Sequence, residues 1–90
     1  MALKRNSDAW STYARALGTN LNRARSAKGL SQERLAHEAG IALFTYQKME
    51  KGESNPGDPA NPTVRVLMSL AAALEIEVAD LLPPGNPEAK

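Results

Sequence analysis

"SQERLAHEAGIALFTYQKMEKG", residues Ser31 to Gly52, holds two short periodic segments that meet at Gly40. Ser31 is placed to cap the first, because its hydroxyl can accept from a backbone N–H one turn further on. Glu33 favours the positive end of that helix. Arg34 stands where a full capping box carries Glu or Gln. Leu35, Ala36 and Ala39 form the stripe to be buried, and Gly40 closes the segment. A helix of about eight residues is too short to persist alone in water, so it must pack against something. Ile41 and Ala42 lead straight into a second helix that stops at Gly52.

Rotation by about 100° per residue sorts the faces of that second helix. Ala42, Thr45, Tyr46 and Met49 cluster on one side; Leu43, Phe44, Gln47, Lys48 and Lys51 cluster on the other. A small residue (Ala36), a glycine corner able to take a left-handed backbone, and two apolar anchors (Tyr46 and Met49) are the grammar of a helix-turn-helix. The outward side is unusual because it opens with two apolar residues, Leu43 and Phe44. The rest of it suits a DNA-reading surface. Gln47 can donate to and accept from a base edge. Lys48 can reach guanine or a phosphate, and Lys51 lies in the last turn, where a cation is favoured. Leu43 and Phe44 would then meet thymine methyl groups, the apolar feature of the major groove. The competing reading folds Phe44 onto the neighbouring helix or onto the proline-rich loop.

Outward from this pair, the remaining chain reads as helix. Trp10, Tyr13, Leu17, Leu21 and Ala24 recur at helical spacing. Ser7 or Ser11 is a candidate cap, and Gly29 a natural stop. Gly18 weakens this helix by roughly 1 kcal/mol relative to Ala, which marks it as a candidate point of close packing. "GESNPGDPANP", residues 52–62, is a loop by composition. Thr63 caps "VRVLMSLAAAL", with one stripe of Val64, Leu67, Met68, Ala71 and Leu74 and another of Val66, Leu70 and Ala73. "VADLL" gives a short fifth helix before Pro83 and Pro84, and no strand pattern appears. The predicted division is a flexible extension over 1–9, one all-α domain over 10–82 and a loose tail over 83–90.

The 90 residues suit one domain with a modest core. Cysteine is absent, which excludes disulfides and thiolate metal sites. There is a single histidine, His37, beside Glu33 and Glu38. With no nucleophile–base constellation and no phosphate-binding glycine loop, an enzyme is not expected. Neither a cofactor nor a small-molecule ligand is called for. The N-terminus lacks the apolar run of a signal peptide, and nothing approaches the roughly 20 apolar residues of a membrane span. A soluble cytoplasmic protein is expected. Net charge is only +1, but Lys4, Arg5, Arg15, Arg23, Arg25 and Lys28 precede Leu30 against one acid, Asp8. Such a basic flank can supply phosphate contacts on a near-neutral domain.

"GLSQERLAHEAGIALFTYQKMEKGESNP" (29–56) and "NPTVRVLMSLAAALEIEVADLL" (61–82) resemble the Cro/phage-repressor, or XRE-type, helix-turn-helix family. The resemblance covers Leu17 to Leu82 and implies a five-helix, lambda-repressor-like DNA-binding domain with the helix-turn-helix as helices 2 and 3. It implies that Gln32 contacts phosphate and steadies neighbouring base contacts. Ala42, Leu43, Phe44 and Lys48 match the recognition positions. Arg25 and Glu50 match an ion pair tying the first helix to the recognition helix. With Ser31, Thr45, Gln47 and Lys51 these complete the candidate DNA-binding set. Here Ala42 replaces the usual hydroxyl cap, the loop after Gly52 is about six residues longer than the common form, and Glu75 stands where glycine is common. The implied function is a sequence-specific regulator of transcription, a repressor acting on double-stranded DNA as a homodimer. Its half-sites would lie about 34 Å apart. The dimer surface is expected around helices four and five, through the second stripe, or at Trp10 with Tyr13. The rival is a protein-interaction module using the Leu43/Phe44 face.

Overall fold

Three of the helices begin just after Ser31, Ala42 and Thr63, and only two of these residues supply a side-chain cap. The Ser31 hydroxyl accepts from the Arg34 N–H at 3.0 Å and opens α2 (Gln32–Ala39). The Thr63 hydroxyl accepts from the Val66 N–H at 3.1 Å and opens α4 (Val64–Leu74). Ala42 has no hydroxyl, so α3 (Leu43–Glu50) starts without that bond. The first helix, α1, spans Ser7–Ala27. This computed structural model describes residues 7–89. Most of the extension expected over 1–9 therefore lies outside the described residues, but Ser7, Asp8 and Ala9 are already helical. Ser11 sits inside α1 and cannot be its cap.

Gly40 takes φ 74° and ψ 29°, and the Ile41 N–H then donates to the Ala36 carbonyl at 2.9 Å. That left-handed residue turns the chain from α2 into α3 with its backbone groups paired. Glu75 does the same after α4 at φ 59°, with the Ile76 N–H on the Ala71 carbonyl at 3.0 Å. It is a non-glycine residue in a region that disfavours a Cβ, and its carboxylate pairs with Lys28 at the end of α1.

α1 packs against α3, and α2 against α3 and α4. The core is Leu17 and Leu21 of α1, Leu35 and Ala36 of α2, Tyr46 and Met49 of α3, and Leu67, Leu70, Ala71 and Leu74 of α4, with Leu81 closing it. Gly18 is buried where α1 crosses the end of α3; a Cβ there would lie 2.4 Å from the Glu50 carbonyl oxygen. Close packing is what offsets the helix-weakening glycine.

Three expectations need correction. The fifth helix is a single 3-10 turn, Val78–Asp80, so the described residues form four α-helices. The run before Pro83 is too short to continue beyond that turn. The loop contains a two-stranded antiparallel ribbon, β1 (Glu53–Asn55) and β2 (Asp58–Pro59), joined at Pro56 and Gly57. Pro59 has no N–H to give to a ladder, and strands of two and three residues carry no readable period. Finally, the stripes of α4 divide differently. Leu70 is fully buried, with Val66 and Ala73 packed against the core, whereas Val64 and Met68 are 67% and 60% exposed. The second stripe is therefore not available as a dimer surface. Hydropathy alone could not separate faces on a helix whose sides are nearly all apolar.

The ribbon is held from both ends of the chain segment. The Ala60 N–H donates to the Gly52 carbonyl at 2.8 Å, and the Trp10 indole N–H donates to the Ala60 carbonyl at 3.0 Å. Trp10 also stacks on Tyr13 at 5.5 Å between centroids.

Candidate functional site

The inner end of α3 is organised around one carboxylate. The Glu50 side chain is only 6% exposed. Arg25 Nε reaches Oε2 at 2.6 Å and Arg25 Nη2 reaches Oε1 at 3.2 Å. Asn22 Nδ2 and Gln32 Nε2 each donate to Oε1 at 3.0 Å, and the Tyr46 hydroxyl donates to Oε2. Arg25 Nη1 continues to the Leu30 carbonyl at 2.8 Å. Asn22 and Arg25 lie three apart on α1, and Tyr46 and Glu50 four apart on α3, so each pair shares a helix face. One acid thereby joins α1, the first residue of α2, and α3.

Burial pushes the Glu50 carboxyl up. The hydrogen bonds from Arg25, Tyr46, Asn22 and Gln32 more than reverse this and hold it at about 2. The same contact with Glu50 raises Arg25 above its ordinary value. Burial, and then the bond to Glu50, raise Tyr46. At neutral pH the centre is an ionised pair with a neutral phenol, and charge-assisted hydrogen bonds of this kind are the stronger ones.

The outer side of α3 has a different character. Phe44 is 70% exposed. It is not folded under the ribbon or against α2, which overturns the buried reading of that ring. Lys48 Nζ lies 4.6 Å from its centroid, a cation–π contact. Gln47 Nε2 approaches Gln32 Oε1 at 3.4 Å, so Gln32 bridges the buried carboxylate and the surface amide. Leu43, Gln47 and Lys48 are half-buried, and Ala42, Thr45 and Lys51 are exposed. The helical wheel put Ala42 and Thr45 with the inward cluster. Only Tyr46 and Met49 of α3 reach the core, so both of the others are left at the surface.

The structure brings Gln32, Gln47, Arg25 and Glu50 into one connected network, and Phe44 and Lys48 into another. Ser31 is exposed beside Gln32, its hydroxyl engaged by the α2 backbone. Asn22 and Tyr46 are members of the Glu50 network that the sequence did not point to. The i,i+4 spacing of Tyr46 and Glu50 was the signal available for one of them. His37 is exposed on α2. Among the described residues no group of three or more His, Asp or Glu side chains could hold a metal ion, and no helix is long and apolar enough to cross a membrane.

The helix-turn-helix family model matches residues 21–81, a span that includes α2, the Gly40 corner and α3. An uncharacterized HTH-type transcriptional regulator of Sinorhizobium fredii is 34% identical over 68 residues, 76% of this chain and 80% of that protein. The restriction-modification controller protein C.AhdI of Aeromonas hydrophila is similar in structure, with a TM-score of 0.68 and 33% identity over 77% of this chain and 96% of that one.

Proposed function

Because the chain belongs to the helix-turn-helix family, we propose that it is a sequence-specific, double-stranded-DNA-binding regulator of transcription whose α3 reads the major groove. The observation that carries this reading is the contrast within α3. Its acid is buried and paired, while its outward side presents Leu43, Phe44, Gln47, Lys48 and Lys51 without a carboxylate among them. None of these five residues repels a polyanion, and the two lysines attract one. Gln47 and Lys48 suit base edges, and Leu43 and Phe44 suit thymine methyls. Ala42 and Thr45 border the groove. Ser31 and Gln32, at the start of α2, lie where backbone amides and the helix dipole favour a phosphate.

The proposed role is repression in the cytoplasm, by occupancy of the bound site. The protein needs no cofactor. One eight-residue helix reads few base pairs, so the functional unit is a homodimer on two half-sites. Val64, Met68 and Ala72, spaced by four along the exposed side of α4, supply the apolar contact. Similarity to a restriction-modification controller and to an HTH-type transcriptional regulator supports a regulatory role.

The test is binding of the protein to sites selected from random duplex DNA, repeated across salt concentrations. The logarithm of affinity should fall linearly with the logarithm of salt, by about 10³-fold or more in affinity between 50 and 200 mM if six or more phosphates are neutralised. Gln47→Ala combined with Lys48→Ala should leave the fold intact and sharply reduce sequence preference. A protein-docking role for Leu43 and Phe44 would instead show little salt response, and unchanged sequence preference in the double variant would remove α3 as the reader.

A further inference from the structure

The geometry points to a specific step read by the Phe44–Lys48 pair: a C5-methylated pyrimidine next to a guanine. At that position the protein would accept thymine and 5-methylcytosine alike and discriminate against uracil and unmethylated cytosine. This rests on the duplex-reading role proposed above and adds the chemistry of the site it reads.

Among the described residues, Phe44 is the most exposed large apolar side chain, ahead of Val64 and Met68 on α4, and the only aromatic one of these. It sits in the first turn of α3, beside half-buried Leu43. In the major groove the apolar group available to such a ring is the C5 methyl of a pyrimidine. Chemically, thymine's methyl and that of 5-methylcytosine occupy the same place on the ring, so a methyl-seeking surface does not tell them apart. Their difference lies at C4, where thymine presents an acceptor and cytosine a donor. The charged acceptor for that cytosine donor is a carboxylate. The one acid of α3, Glu50, is engaged by Arg25, Tyr46, Asn22 and Gln32. The Phe44 ring therefore senses the methyl and does not itself read C4.

Lys48 supplies the second half of the step. Its Nζ stands 4.6 Å from the Phe44 centroid. Successive bases on one strand are about 3.4 Å apart along the axis. A ring on one pyrimidine methyl thus keeps the ammonium within reach of the adjacent base pair and short of the second, which lies about 6.8 Å away along the axis. An ammonium has only donors to offer, and guanine O6 and N7 are the paired acceptors of the major groove. Phe44 is accordingly both the methyl contact and the positioning residue for Lys48.

The experiment starts from the tightest-binding duplex in the selected pool. Each thymine is replaced in turn by uracil, and each pyrimidine next to a guanine is made as thymine, cytosine or 5-methylcytosine with its complementary partner. The expected result is one position per half-site where uracil weakens binding by about fourfold, the value of one buried methyl group. There cytosine binds more weakly than 5-methylcytosine by a similar factor. Phe44→Ala, whose fold is checked by circular dichroism, should erase the thymine–uracil difference. Lys48→Ala should keep that difference while lowering preference for the neighbouring guanine. Salt-dependent, selective binding in which no thymine can be told from uracil overturns this inference and leaves the duplex-reading role standing. Failure to select any duplex removes both.

Discussion

The two ends of α3 are built on opposite rules. The C-terminal end is over-determined: Met49 is buried and Glu50 receives hydrogen bonds from four side chains on three helices. The N-terminal end is under-determined: Ala42 gives no cap bond and Phe44 projects into solvent. The difference separates two tasks. One end fixes the angle at which the helix stands on the domain. The other can change its chemistry with little effect on folding, which is what the proposed sequence-reading role requires.

Breaking the inner end should have the largest effect. Glu50→Gln leaves the Arg25 guanidinium, 14% exposed in its side chain, without its counter-charge. A loss of about 3–5 kcal/mol is expected, read as a shift in the chemical-denaturation midpoint, because stranding one member of a buried pair costs that much. A loss under 1 kcal/mol would mean that the network does not fix the helix.

Acid offers a graded version of the same break. The Glu50 carboxyl titrates near 2 in the folded protein and near 4.5 when unfolded. A folded value below the unfolded one means that ionisation stabilises the fold above 4.5. That contribution falls as pH drops from 4.5 to 2 and is gone below 2. It amounts to at most about 3 kcal/mol. Denaturation of the wild type and of Glu50→Gln at pH 7, 4, 3 and 2 should show the two converging across that window.

The outer end should barely respond. Phe44→Ala removes a ring that is 70% exposed, so stability should change by no more than about 0.5 kcal/mol. A larger loss in thermal or urea unfolding would show that the ring supports the fold and would dissolve the contrast between the two ends.

The same contrast explains what could be seen in the sequence. The helix pair was legible because its signals are local: Ser31 as a cap, Gly40 as a corner, and Tyr46 and Met49 three apart. Gly18 was legible as a glycine that a helix would not otherwise choose. The Arg25–Glu50 contact entered through resemblance, since nothing local links residues 25 apart in the chain. Asn22 stayed hidden for the same reason, because its bond to Glu50 crosses 28 positions. The ribbon at 53–59 was hidden by brevity and by its prolines, whose backbone preferences look like loop. The faces of α4 were hidden by uniformity: Val64, Met68 and Leu70 have similar hydropathy and different surroundings.

Trp10 is the single tryptophan of the chain. Its indole N–H is held by a carbonyl fifty positions away and its ring lies on Tyr13. The molecule therefore carries its own optical gauge of closure between the first helix and the segment after the ribbon. Emission from that one chromophore can follow assembly of the domain in real time, with no label added and no residue of the proposed reading surface altered.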